Sequence, residues 1–170
     1  MLPKDPPLTR EVVATLVSYN PETGDVRWLV SQGRAIAGRL AGHLEKRTGY
    51  RRIPIGDKLV MASRIAWLLH YGEWPTAFID HIDGDKANNR ISNLRRATKS
   101  QNTMNIGPRR DNSTGHRGVY LVRGRRGFQK YAVQYIKDGK KITKRCYTLE
   151  EAIEARAKHA ARAYGEFFKE

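Results

Sequence analysis

A single cysteine, Cys146, is the only thiol in the chain. That scarcity excludes an intrachain disulfide framework and any cysteine-rich zinc site, so no structural zinc is expected and Cys146 reads as a packing residue. Long hydrophobic runs are also missing. No apolar stretch approaches the ~20 residues of a spanning helix, and basic residues alternate with strand-like apolar ones, which argues against a membrane partner. The opening Met1-Leu2-Pro3-Lys4-Asp5-Pro6-Pro7 has no apolar core of signal-peptide length, so a cytoplasmic location is expected. Acidic residues are scarce: 17 Asp and Glu stand against 32 Lys and Arg, and a net charge of +15 favours polyanions such as nucleic acid. Internal repeats and low-complexity tracts are absent.

What remains, 170 residues of which 39% are hydrophobic, suits two small modules better than one medium domain. Val12, Val13, Leu16 and Val17 follow Thr9 at helical spacing, which predicts a short helix over 9–19, closed by the turn residues Asn20 to Gly24. A strand is expected at Val26 to Val30, and a hairpin over 49–62 turning at Gly56-Asp57. Ser63 is placed to cap a buried helix that Gly72 and Pro75 stop. Phe78 to His81 and Leu94 to Ala97 predict two further strands, and Thr98 with Gln101 has the spacing of a capping box opening a helix that carries Asn102. The turn-rich run 106–115 predicts a linker. Three strands then follow, over 116–122, 128–136 and 141–147, with a strong Asp138-Gly139 turn signal, and a helix opens at Thr148 with Glu151 as its box partner.

Hydrolysis of a phosphodiester needs a nucleophilic water, charge relief at phosphorus and help for the departing oxygen, so a base and a divalent cation close together suffice. Asp80 and His81 supply such a pair at a strand end, where both side chains can address one cleft. Asp80-His81-Ile82-Asp83-Gly84-Asp85, the pair Asn88-Asn89, Asn93-Leu94-Arg95 and Asn102 occur together in an order that resembles the phage homing-endonuclease branch of the HNH family. The resemblance implies an α+β fold with a ββα-metal (His-Me finger) core at about 77–105, His81 as general base, Asn93 holding the loop and orienting that histidine, and Asp80 and Asn102 as metal ligands. Hard oxygen donors favour Mg2+ or Mn2+ over zinc. Asp83 and Asp85 fit a turn better than further ligands, and relatives commonly have a histidine where this chain has Ser63. His43, His70, His116 and His159 have no comparable surroundings; His70 is expected to close its helix, and His159 to be solvated.

From Arg109 through Arg145 the chain carries twelve basic residues against two acidic, so this window holds ten of the fifteen net positive charges. The basic residues alternate with Tyr120, Phe128, Tyr131 and Tyr135, a pattern suited to phosphate contacts. Gly115 to Tyr120, Tyr131 to Tyr135, Tyr147 to Ala152 and Tyr164 to Phe167 resemble the Apetala-type DNA-binding domain, with departures at Tyr131, where tryptophan is usual, and near Lys144 to Cys146, where a glycine is missing. That resemblance implies a three-stranded antiparallel sheet plus helix that binds DNA, with Arg117, Tyr120, Arg123, Arg125, Arg126, Lys130 and Tyr131 as candidate contacts.

The expected organisation is a nuclease domain over 1–106, a linker over 107–114 and a DNA-binding domain over 115–170. The expected function is metal-dependent cleavage of double-stranded DNA by a monomer, which would nick, or by a homodimer, which could cut both strands. The rivals are a DNA-binding regulator without catalysis and an RNA-directed protein, the latter lacking the usual RNA-recognition aromatics.

Overall fold

The computed structural model describes residues 8–105, 111–123, 129–137 and 140–164. It is a mixed helix and strand fold with small antiparallel sheets, and it divides into two compact units, residues 1–99 and 100–170. Of the expected linker, residues 107–110 lie outside the described residues.

The first unit begins with α1, Arg10–Leu16, whose N-cap Thr9 accepts a hydrogen bond from the Val12 amide. The helix is shorter than its periodicity predicts. Val17–Tyr19 leaves it as β1 and pairs with β2, Val26–Trp28, because strand pairing buries Val17, Val26 and Trp28 together. The connecting turn is built as expected: Asn20 Oδ1 accepts from the amides of Glu22 and Thr23, and Gly24 sits at φ +78°.

A second antiparallel sheet holds β3 (His43–Leu44), β4 (Arg51–Ile55) and β5 (Lys58–Met61), of which β3 has no clear sequence signal. The next helix, α2, is Ala62–Tyr71. Here the expectation for Ser63 is corrected: the N-cap is Met61, which makes no side-chain cap, and Ser63 lies buried in the first turn. Gly72 closes the helix in the left-handed conformation, its amide bonded to the Leu68 carbonyl, and His70 stands edge-on to Tyr71 instead of closing the end.

Two faces of α2 are covered. Ala62, Ile65 and Leu68 pack with Val13, Val17, Val26, Ile53 and Ile55, while Ala66 and Trp67 pack on Ile79 and Leu94 of the following hairpin. That hairpin is β6, Phe78–His81, paired with β7, Leu94–Ala97, with a 3-10 turn at Ile91–Asn93 between them. A helix buried on both sides fixes the strand that carries the candidate site, and its burial of large aliphatic side chains contributes about 1.5–3 kcal/mol for each.

Helix α3 spans Lys99–Met104, starting directly after Thr98, with all but its first residue in the second unit. The strands β8 (Val119–Arg123), β9 (Gln129–Lys137) and β10 (Lys140–Cys146) form an antiparallel meander with β9 in the middle. The Asp138-Gly139 turn lies outside the described residues. Helix α4, Leu149–Tyr164, opens with half of the expected box: the Glu151 amide donates to Thr148 Oγ1, but Glu151 Oε2 accepts from the Tyr147 amide, one residue before the cap. It lies on one sheet face through Ala152 and Ala155, with Val119, Val133 and Cys146 beneath. His159 is stacked on Tyr135, ring centroids 3.8 Å apart, and is not simply solvated as the sequence suggests.

Candidate active site and basic sheet

Asp80 and His81 end β6, each only 3% exposed. The strand register sets Asp80 opposite Arg95, and the Arg95 Nε donates to Asp80 Oδ2 at 2.9 Å. Both charges are largely shielded from water, so removing one partner would cost about 3–5 kcal/mol.

Past His81 the chain turns sharply, with the Gly84 amide donating to the His81 carbonyl. Asp83 and Asp85 brace this loop by accepting from backbone amides, Asp83 from Asp85 and Asp85 from Ala87. Burial pushes the Asp83 carboxyl up, but hydrogen bonds from Asn88, Asn93 and the Asp85 amide outweigh it and hold the group below its usual range. Asn93 closes the loop from the far side: its Oδ1 accepts from the Asp83 amide, and its Nδ2 donates to Asp83 Oδ1 and to the Asn88 carbonyl. The Ile82 amide also donates to the Asn93 carbonyl.

The side chain that meets the imidazole is Asn89, whose Oδ1 lies 3.3 Å from His81 Nε2. Asn89 Nδ2 donates to the Ala87 carbonyl, so the amide oxygen must face the ring. Facing that oxygen, His81 Nε2 is the donor in the tautomer that carries its hydrogen there, and in that tautomer Nδ1 is the basic nitrogen. Burial lowers the His81 pKa below its ordinary value, against the opposing pull of Asn89 and of Asp83, Asp80 and Asp85. Burial thus favours the neutral imidazole, the form that can accept a proton.

The loop leans on the β1–β2 turn. Tyr19 Oη donates to the Asn89 carbonyl at 2.8 Å, Arg90 Nε donates to the Glu22 carbonyl, and the Ile91 amide donates to the Pro21 carbonyl. Burial, and then Tyr71, pushes the Tyr19 phenol up to about 12. Gly24 is where the two segments come closest: a Cβ there would stand 2.5 Å from the Arg90 amide nitrogen. Tyr50, just before β4, forms another wall, its ring 5.9 Å from that of His81 and its phenol pushed up by burial and by the Asp80 charge.

Of the sequence-derived candidates, His81 and Asn93 thus belong to one braced loop with Asp80 beside it, whereas Asn102 stands half-buried on α3 of the second unit. Asn89, Tyr50 and Arg95 were not anticipated. Arg95 was within reach, since pairing 78–81 with 94–97 puts it opposite Asp80. Asn89 had only the weak signal of an asparagine pair, and Tyr50 had none. Among the described residues no group of three or more His, Cys, Asp or Glu could hold a metal ion.

In the second unit Tyr120, Ala132 and Arg145 form one row across the sheet, and Val122 and Lys130 the next, on the face opposite Val119, Val133 and Cys146. Lys130 Nζ lies 5.1 Å from the ring of Tyr147. Tyr131 packs against the core under α4 instead of joining this open face. Arg117 donates to the Thr103 carbonyl and its own carbonyl accepts from Arg156 Nε, so it ties α3 and α4 to the turn before β8. Arg123 closes β8, but its side chain, like Arg125 and Arg126, lies outside the described residues.

No helix among the described residues is long and apolar enough to cross a membrane. Comparison with curated proteins and with solved structures found no match. Residues 60–104, which include β6, the braced loop, β7 and α3, match the family model of the HNH endonuclease, so this segment is similar to a nuclease.

Proposed function

We propose that the chain is a metal-dependent HNH DNA endonuclease of the phage homing type, cutting phosphodiester bonds with its N-terminal module and brought to double-stranded DNA by a C-terminal Apetala-type module over 115–170. The observation that carries the reading is His81: buried, held in one orientation by Asn89, and set beside Asp80 inside the segment similar to a nuclease.

In this mechanism His81 Nδ1 takes a proton from water as the water oxygen bonds to phosphorus. The bond from phosphorus to the 3′ oxygen breaks, and the departing oxygen is protonated from solvent. Asn89 keeps the basic nitrogen presented, and Asn93 keeps the loop from opening. Asp80 and Asn102 are the proposed oxygen ligands of a divalent cation, with β6, β7 and α3 as its ββα-metal scaffold. A carboxylate and an amide oxygen suit magnesium or manganese, which retain water ligands and need few protein groups. When bound, such an ion supplies charge relief at the phosphate and at the leaving oxygen. The face carrying Tyr120, Lys130 and Arg145 suits a DNA contact by its charge, with Arg117, Arg123, Arg125 and Arg126 as further candidates.

Nicking of supercoiled plasmid in the presence of magnesium tests the proposal. His81→Ala should lower the rate by about a hundredfold or more while leaving duplex affinity unchanged. Undiminished nicking by the variant discards His81 as the base. A wild-type protein that binds duplex but never nicks is instead a DNA-binding regulator built on a nuclease scaffold.

A further inference from the structure

Lys86 leaves the site loop with its ammonium 4.9 Å from the centroid of the Tyr50 ring, and that ring is 5.9 Å from the imidazole of His81. Its aliphatic stem runs past Gly49, where a Cβ would stand 3.8 Å from both Lys86 Cβ and Cδ. Among the described residues no carboxylate comes within ion-pair distance of Lys86, and the Tyr50 hydroxyl makes no hydrogen bond. The phenol O–H is free to rotate and can donate. An ammonium and a phenol, both half-exposed donors without a protein acceptor among the described residues, therefore stand together beside the candidate base. Acceptors that would satisfy both are the unesterified oxygens of a phosphodiester.

We infer that Lys86 and Tyr50 form a phosphate-binding subsite of the cleft, gripping the DNA backbone next to the bond presented to His81. The inference rests on the endonuclease reading for the identity of the ligand. It also extends the site beyond the segment similar to HNH endonucleases, because Tyr50 lies outside residues 60–104. The aromatic ring confines the lysine: a cation over an aromatic face is held without being neutralised, so its charge stays available to the phosphate.

The test is duplex binding across a salt series with a chelator present, so that no strand is cut, followed by plasmid nicking with magnesium. Lys86→Met keeps the stem and removes the charge; Tyr50→Phe keeps the ring and removes the donor. Lys86→Met should flatten the slope of log affinity against log salt by about 0.9 and weaken binding by about tenfold at moderate salt. Tyr50→Phe should weaken binding with the slope unchanged, because it removes no charge. If Lys86→Met binds with wild-type slope and affinity, the subsite is overturned, even when the wild-type protein nicks. If the slope falls but the wild-type protein never nicks, the subsite stands as a DNA contact and the endonuclease reading fails instead.

Discussion

The pH dependence of the protein is set at the level of single side chains, His81 above all. Burial holds its folded pKa below the ordinary value near 6.5, whereas the unfolded chain takes up a proton there. Between the lowered pKa and about pH 6.5 the unfolded state binds more protons than the folded one, so stability falls as pH is lowered through that window and levels off beneath it. Urea titrations from pH 7.5 downward should show this loss, and His81→Ala should remove it; an equal loss in the variant would assign the effect to another group. The grouping of His81, Asp80 and Asn93 was legible because each is a reactive or amide side chain at a spacing that resembles a nuclease motif. Asn89 was less legible: Asn88 and Asn89 are chemically alike, and only the path of the loop aims one at Asp83 and the other at the imidazole.

Among the elements, the β1–β2 hairpin shows how local rules yield to packing. Helical periodicity runs on into Val17, yet the backbone leaves the helix there and pairs with β2, which buries Val17 together with Val26 and Trp28. Ser63 likewise has the chemistry of a cap but sits inside the first turn of α2, one residue past the helix start. The turn of this hairpin presses on the site loop at Gly24, and a matched pair of substitutions isolates that contact. Gly33 has positive φ with nothing near its would-be Cβ, so Gly33→Ala should cost only the left-handed backbone term, about 1–2 kcal/mol. Gly24→Ala adds a collision with the Arg90 amide and should cost clearly more in chemical denaturation, with slower nicking as well. Equal costs would mean that the turn does not support the loop.

Across the whole molecule the governing quantity is charge. With +15 overall and ten of those charges in one window, binding to duplex should fall steeply with salt. Replacing Lys130 and Arg145 together by Met should flatten the salt slope by about 1.8 if both touch phosphates, with the loss spread evenly over DNA sequences; an unchanged slope would leave both as solvated surface charges. Composition made this basic surface visible, since it needs no knowledge of how strands pair. Alternation alone did not show which face stays open: Tyr131 has the exposed-aromatic pattern of a contact residue, and α4 covers it. The ties from Tyr19, Pro21 and Glu22 to residues 89–91 bear on how portable the candidate site is. They originate upstream of residue 60, so a graft of 60–104 into a foreign host would carry the reactive groups away from their splint. The transplant would need the first hairpin as its companion to keep the histidine aligned.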